Sequence, residues 1–196
     1  MVSMKRIIFV LAVAFMFPTL LFSQNKSLSH SVGIYMGYAN RSAMNGMSLQ
    51  CQYALGVCPH LDVLASVALA NVYDKNDDIR LQVIDGPTPI MSYLSFLDFG
   101  VRTYVDFLKI CSFKVSGQIG MNTDHQSVLH PNIANGMSAG PIVMIRFNVD
   151  AKGELTFSVC PKLDLGIYYE YAYIFGNSSV LNPHIHRAGL LLNLKL

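Results

Sequence analysis

Eight segments of the chain alternate between apolar and polar residues with a period of two. This period is typical of β-strands that have one face in an apolar environment and the other in a polar one. In FKVSGQIGMN (113–122), one parity carries Phe113, Val115, Gly117, Ile119 and Met121, and the other carries Lys114, Ser116, Gln118, Gly120 and Asn122. The predicted strands are 31–40, 46–57, 61–73, 92–105, 110–122, 136–148, 163–176 and 184–196. Most are near or above the roughly 9 to 11 residues that a tilted strand needs to cross a bilayer.

Two kinds of closed barrel can be built from strands with one apolar and one polar face. A soluble barrel turns the apolar face inward, and a membrane barrel turns it outward. Charged residues make up 13% of this chain, against about 25% in typical globular proteins, which is too few for a water-facing wall. The sequence therefore predicts an all-β fold, an eight-stranded antiparallel up-and-down transmembrane β-barrel. A soluble exported barrel that binds a small apolar ligand inside is the alternative.

In a membrane barrel, the polar parity faces the interior. Six charged residues of this parity form the predicted interior charge cluster, namely Asp98, Arg102, Lys114, Arg146, Glu170 and Arg187. Eight strands leave an interior that side chains can fill. We therefore expect the cluster to plug the barrel rather than to line a conducting pore.

The N-terminal segment has the features of a secretory signal peptide. Basic Lys5 and Arg6 precede an apolar run over residues 7–22, and small Ser23 follows it. We predict a signal peptide over 1–23 and a barrel domain over 24–196. Removing Lys5 and Arg6 from the 14 basic residues leaves 12, against 12 acidic residues. A neutral chain without a basic stripe makes nucleic acid a poor partner.

The predicted connections alternate between tight turns and longer polar loops. The long ones are 74–91, 122–135 and 176–183. The segment 150–162 is too long for a minimal turn, and we interpret it as a hairpin that extends the sixth and seventh strands beyond the membrane. Cys58 and Cys160 lie in the near-repeats VCPHLD and VCPKLD. A disulfide between them is an alternative to free thiols.

Aromatic residues are concentrated near strand ends and along the seventh strand. Rings of this kind favour the membrane interface. The residues predicted there are Tyr35, Tyr38, Tyr168, Tyr169, Tyr171, Tyr173 and Phe175.

Three short motifs are candidates for chemical sites. His184 and His186 have strand spacing and point to one face, but two imidazoles are too few ligands for a metal site. The HQS motif (125–127) resembles the His-x-Ser of barrel enzymes that deacylate lipid A, although it lies in a predicted loop with no suitable acidic partner. DKNDD (74–78) lacks the Gly and distal Glu of a calcium loop. We predict no catalytic residue, no cofactor and no metal.

Taken together, the leader, the eight alternating strands, the alternately short and long connections and the ending AGLLLNLKL resemble the small OmpA/OmpX-type outer-membrane barrels of Gram-negative bacteria. That family usually ends in an aromatic residue, whereas this chain ends in Leu196. The resemblance implies an outer-membrane location, periplasmic tight turns, and extracellular loops at 40–45, 74–91, 122–135 and 176–183. It also implies outer-membrane lipid and the barrel-assembly machinery as partners, with an extracellular partner contacted through the loops. The expected role is structural or surface interaction without catalysis, and a lipid-modifying barrel enzyme is the alternative.

Overall fold

The computed structural model describes residues 29–41, 44–58, 60–73, 88–107, 110–132, 136–176 and 183–196. The predicted signal peptide (1–23) and the DKNDD segment (74–78) lie outside the described residues. The strands are β1 (Ser29–Arg41), β2 (Met44–Cys58), β3 (Leu61–Tyr73), β4 (Thr88–Phe107), β5 (Cys111–Asn132), β6 (Gly136–Cys160), β7 (Leu163–Ile174) and β8 (His184–Lys195). Consecutive strands pair antiparallel, and β8 pairs with β1, so the sheet is a closed barrel in sequence order. The predicted fold class is confirmed.

The strand register gives the stagger of the barrel. A path across paired residues leaves β1 at His30 and passes through Leu55, Val63, Val101, Gly117, Ala151, Tyr171 and His186 before it returns to β1 at Asn40. Between His30 and Asn40 lie ten residue steps, and this is the stagger. For eight strands it corresponds to a tilt of roughly 40° and an axial rise of about 2.5 Å per residue.

The two ends of the barrel differ. One end, here called the turn end, carries the β2–β3, β4–β5 and β6–β7 turns together with Ser29 and Leu196. The opposite end is called the loop end. β5 and β6 extend toward it and are the longest strands, with 22 and 25 residues. No helix in the described part of the chain is long and apolar enough to cross a membrane.

One predicted connection is wrong, because the segment 122–135 is strand up to Asn132. The segment 150–162 does extend the sixth strand, up to Cys160, but it belongs to the closed wall of the barrel, where it pairs with both β5 and β7. The first was misread because a hairpin that continues beyond the apolar band has no lipid to impose an alternating pattern. The position of the second segment was misread because Asp150, Lys152 and Glu154 are charged, although they alternate with less polar residues as an inward strand face requires.

The two faces of the wall have opposite chemistry. Every Asp, Glu, Lys and Arg within the described strands lies on the inward parity. On β5, Lys114 and Gln118 are 6% and 3% exposed, while Ile119 is 68% exposed. The inward and outward assignments made from the sequence are confirmed for this strand. The alternative of a soluble barrel with an apolar interior is wrong, because its two faces would be reversed.

Candidate functional site

The inward side chains of the barrel form a network of buried charges. The predicted cluster residues have exposures of 0% (Asp98, Glu170), 1% (Arg187), 4% (Arg102), 6% (Lys114) and 9% (Arg146). They are distributed along the axis and do not form one contact group. Glu170 and Arg187 are in direct contact, whereas Arg102 and Lys114 lie toward the turn end and Arg146 lies toward the loop end.

The ionic centre of the barrel consists of Asp150, Lys152, Glu170 and Arg187. Arg187 on β8 donates a hydrogen bond to Glu170, its directly paired neighbour on β7, and lies 3.9 Å from Asp150 on β6. Lys152 lies 3.7 Å from Glu170 and donates to Gln52 Oε1 across the lumen at 2.6 Å. Buried charges are tolerated when they are paired and hydrogen-bonded in this way.

Asp98 joins the ionic centre through an amide. Asn148 Nδ2 donates to Asp98 Oδ1 at 2.7 Å and to the two carboxylate oxygens of Asp150 at 3.0 and 3.1 Å. The two carboxylates are therefore bridged by one donor group. This bridge reduces the repulsion between two like charges in a medium of low dielectric constant.

A second ionic group lies next to the centre, toward the turn end. Arg102 donates from Nε and Nη2 to Asp62 Oδ2 at 2.9 and 2.7 Å. Its Nη1 atom lies 3.5 Å from Glu154 Oε2, and the Tyr35 hydroxyl donates to Glu154 Oε1 at 2.9 Å. Arg102 thus connects β3, β4 and β6 inside the barrel.

Tyr35 and Tyr168 are interior residues, so their predicted position at the membrane interface is wrong. They are 0% and 4% exposed, and their rings meet edge to face with centroids 5.2 Å apart. Glycine provides the room, because a Cβ atom on Gly33 would lie 2.8 Å from the Tyr35 ring. Tyrosine suits this position because its hydroxyl can pair with the interior polar groups.

An apolar layer lies between the ionic centre and the loop end. On β7, Ala172 and Ile174 follow Glu170, and on β8 Ile185 precedes Arg187. The buried residues of the layer are Ala39, Met44, Ala68, Ala70, Val72, Leu94, Phe96, Ala172, Ile174 and Ile185. At the loop-end side of this layer Arg41, which is paired with Met44, donates from Nη1 to Asp124 Oδ2 at 2.6 Å. An ion pair and apolar side chains therefore share the loop-end part of the interior.

Several interior charges were missed from the sequence. They are Arg41, Asp62, Asp124, Asp150, Lys152 and Glu154. Three of them lie in the segment that was read as a hairpin extension, and Asp124 lies in a predicted loop. The spacing of Asp150, Lys152 and Glu154 at every second residue was the signal that could have identified an inward strand face.

The described surface has cavities at the turn end and on the outer wall. A polar cavity of about 310 Å³ at the turn end is lined by residues that include Arg102, Lys114 and Asp164. Lys114 Nζ lies 3.8 Å from Asp164 there. An apolar groove of about 420 Å³ follows the outer wall, with Met47 and Leu69 in its lining. The groove faces the region that lipid occupies around a membrane barrel.

The histidines of the HIH motif are on the outward face. His186 Nδ1 lies 2.6 Å from the Tyr169 hydroxyl, and His184 Nδ1 is hydrogen-bonded to the Tyr171 hydroxyl. No group of three His, Cys, Asp or Glu side chains suited to a metal occurs among the described residues. Tyr171 also lies against both imidazole rings, so this patch is an aromatic ladder on the outer wall.

The HQS motif is in a strand, so its predicted location in a loop is wrong. His125 and Ser127 belong to β5, and His125 is exposed on the outward face. The acidic residues of the described strands have the inward parity, and Glu154 lies toward the turn end. A nucleophile, a base and an acidic group that orients the base do not converge among these residues.

The considered disulfide between Cys58 and Cys160 is not formed. Cys160 is an exposed free thiol, as is Cys51. Cys58 ends β2 and Cys160 ends β6, so four strand steps around the barrel separate them. Their similar local sequences reflect two equivalent turns and not proximity.

A closed antiparallel barrel with an apolar exterior and charged side chains inside is a transmembrane β-barrel. This architecture, in which no strand edge is exposed to lipid, is the one found in bacterial outer membranes. The fold and the distribution of side chains thus define the chain as a barrel of the small outer-membrane class and place it in the outer membrane.

Solved structures of this class have the same fold. Neisserial surface protein A (NspA) superposes with a TM-score of 0.59 at 13% identity, over 86% of this chain and 96% of that protein. A major outer membrane protein from Thermus thermophilus superposes with a TM-score of 0.57 at 10% identity, over 85% of this chain and 99% of that protein. The sequence itself matches no protein-family model and no curated protein. Similarity at these identities establishes the fold alone.

Proposed function

We propose that this chain is a non-enzymatic outer-membrane barrel with a plugged interior, which interacts with extracellular proteins through its loop end. The turn end then faces the periplasm. Outer-membrane lipid surrounds the outer wall, and the barrel-assembly machinery inserts the chain. The interaction is the central part of this proposal, and the extended strands β4, β5 and β6 support it.

The three strands continue beyond the barrel wall at the loop end. β6 begins at Gly136 and pairs with β5 from there, but its first residue paired with β7 is Asn148. The unshared stretch of twelve residues corresponds to an extension on the order of 30 Å along the axis. β4 covers the other side of β5 from Thr88 onward. The extension is therefore a three-stranded sheet whose outer edge, residues 136–146, has no partner strand among the described residues. The edge ends at Phe147, whose carbonyl oxygen accepts from Phe175 N–H at 2.8 Å.

Such an edge carries backbone N–H and C=O groups that can pair with an added strand. Pro141 lacks an N–H group and interrupts the edge, so an added strand pairs on one side of it. Val143 and Ile145 are 58% and 67% exposed next to this edge, and they supply apolar contacts for alternate side chains of a bound segment. The partner is an extended segment of an extracellular protein.

The test replaces the tip of the extension. Residues 125–143 are exchanged for Asn-Gly between Asp124 and Met144, which are paired in the parent, so that Val143 and most of the edge are removed while Asp124 stays paired with Arg41. We expect the variant to keep the heat-dependent shift in electrophoretic migration of a folded barrel and to lose adhesion of whole cells to immobilised extracellular-matrix proteins. The matched control exchanges residues 177–182 for Asn-Gly and keeps adhesion. Equal adhesion by both variants would contradict the proposed role of the edge.

The plug has its own test. The ionic centre and the apolar layer fill successive levels of the lumen, so we expect no stable ion conductance from the purified barrel in planar bilayers. A reproducible open channel in the parent protein would refute the plugged interior. An open channel would not contradict the proposed interaction through the β6 edge, because that edge lies outside the lumen.

A further inference from the structure

Arg146 differs from the other basic residues of the interior. The remaining basic side chains on the inward parity of the described strands each have a carboxylate within 4 Å, in the pairs Arg41–Asp124, Arg102–Asp62, Lys114–Asp164, Lys152–Glu170, Arg187–Glu170 and Lys195–Asp164. Arg146 is 9% exposed, and within the described part of the chain its hydrogen bond goes to the thioether sulfur of Met144. A thioether is a weak acceptor, so the donors of this guanidinium are largely unused.

The residue paired with Arg146 across the strands is also without a partner. Asn122 on β5 is directly opposite Arg146 on β6. Asn122 is 1% exposed, and neither its Nδ2 nor its Oδ1 atom has a hydrogen-bond partner in the described structure. Buried amides are normally hydrogen-bonded. Two adjacent inward side chains thus offer N–H donors at the same level of the lumen.

The charge at this level is positive. Arg41, Asp124 and Arg146 are the charged residues between the ionic centre and the loop end on the described strands. Asp124 already accepts from Arg41 at 2.6 Å, from Ser92 at 2.6 Å and from Gln126 at 2.5 Å. On these strands, this level therefore has two guanidinium groups, those of Arg41 and Arg146, and one carboxylate. The apolar layer separates them from the acidic residues of the ionic centre.

The backbone leaves room at Arg146. Gly176, just after β7, has a φ of 127°, a conformation that L-residues with a Cβ rarely adopt. A Cβ atom there would lie 3.5 Å from Arg146 Cδ and 3.8 Å from its Nε. The absence of a side chain at this position keeps bulk away from the guanidinium on its loop-end side.

We propose that Arg146 and Asn122 form a binding site for an oxyanion, a phosphate or sulfate group that enters from the loop end. The guanidinium presents a planar fork of N–H donors that matches two oxygens of such a group. The Asn122 amide supplies a further donor, and the bound charge offsets the excess positive charge. This inference does not require the edge interaction or the orientation in the membrane.

The experiment uses the full mature barrel, refolded in a zwitterionic detergent without phosphate. Sodium phosphate, sodium sulfate and sodium chloride are titrated at equal ionic strength while backbone amide resonances are recorded. We expect saturable shifts at residues 122 and 146 and their strand neighbours with phosphate and sulfate, and little change at the turn end. Arg146→Gln should weaken phosphate binding at least tenfold, and Arg146→Lys should weaken it less because the charge is kept but the fork is lost.

Lys195→Gln is the matched control, because Lys195 is a basic inward residue at the opposite end. It should bind phosphate as the parent does. Both glutamine variants must show the heat-dependent migration of a folded barrel. A second readout is the unfolding midpoint in urea, which phosphate should raise in the parent and not in Arg146→Gln, since a ligand stabilises the state that binds it.

Measurements in nanodiscs distinguish a lipid phosphate group from a free phosphate ion as the ligand. One preparation contains phosphorylated outer-leaflet glycolipid, and the other contains the dephosphorylated glycolipid in a phosphate-free neutral lipid. If only the phosphorylated preparation reproduces the shifts at residues 122 and 146, the ligand is a lipid phosphate group; if free phosphate produces them in both, it is a soluble oxyanion.

Absent or non-saturable shifts, equal shifts with chloride, or unchanged binding by Arg146→Gln would overturn the proposal. It would also be overturned if phosphate binds only after the aspartates of segment 74–87 are changed to asparagine, because a carboxylate of the chain would then occupy the site.

Discussion

The contact between Arg187 and Glu170 gives the sharpest prediction about stability. Arg187→Gln removes the cation that faces Glu170 directly and Asp150 at 3.9 Å, and both carboxylates stay buried. Loss of one partner of a buried pair typically costs about 3–5 kcal/mol, because it leaves a charge without compensation. Lys152 lies 3.7 Å from Glu170 and can compensate in part, so we expect about 3 kcal/mol.

The assay is equilibrium unfolding by urea in lipid vesicles, followed by tyrosine fluorescence and electrophoretic migration. Glu170→Gln and the double variant complete the cycle. Once Arg187 has been replaced, Glu170→Gln removes a destabilising charge and should cost less than it does in the parent. The two residues are in contact, so a coupling free energy of about 1–3 kcal/mol is expected.

Lys195→Gln is the comparison at the rim. Lys195 lies 2.6 Å from Asp164, but its side chain is 43% exposed. Exposed ion pairs contribute about 1 kcal/mol or less, since water solvates the released charge. The reasoning would be refuted if Arg187→Gln cost no more than Lys195→Gln, because water would then reach the centre of the lumen.

Three further outcomes follow from single positions. Gly189→Ala should reduce the yield of folded barrel, because a Cβ atom there would lie 2.1 Å from a carbonyl oxygen of β1. Pulse-chase measurement of the fraction with heat-dependent migration checks this. Normal assembly of the variant would contradict the close approach of β1 and β8. Tyr35→Phe should lower the free energy of unfolding by about 1–3 kcal/mol, because Glu154 loses a buried donor at 2.9 Å; urea titration measures it, and a neutral change would indicate that water replaces the hydroxyl. In a background without the native cysteines, a fluorophore attached to Val115→Cys should be quenched by lipid-phase nitroxides, and one attached to Ser116→Cys should not. The reverse pattern would contradict the assignment of the outward and inward faces.

Alternation in the sequence identified which face of each strand meets lipid, because lipid imposes a sharp chemical difference between neighbouring residues. It failed where that difference ends. Beyond residue 122, β5 continues to Asn132, and its next residues, Thr123 to Gln126, are polar on both parities. Between residues 150 and 160, the density of charge resembled a turn, although each charged residue occupied an inward position. The pattern therefore predicts the membrane-spanning part of a strand better than its full length.

Contacts across the lumen could not be read from the sequence. Glu170 and Arg187 lie on adjacent strands and are paired in register, so a correct alignment of β7 and β8 predicts their contact. Tyr35 and Glu154 lie on β1 and β6, and Lys152 reaches Gln52 on β2 from β6. These pairs meet only after the barrel has closed with its particular stagger. The orphaned donors of Asn122 and Arg146 became visible for the same reason, since an absent partner is a property of the closed interior.

This dependence suggests what the interior charges do for the fold. A shift of one strand by two residues keeps every apolar side chain toward lipid, so the hydrophobic pattern alone does not exclude it. The same shift would move Glu170 away from Arg187 and would change the level at which Lys152 meets Gln52. Each displaced charge would then be buried without compensation, at a cost of several kcal/mol. The lipid-facing residues therefore determine which way the wall faces, and the ionic centre selects the stagger of ten residues among registers that lipid cannot distinguish.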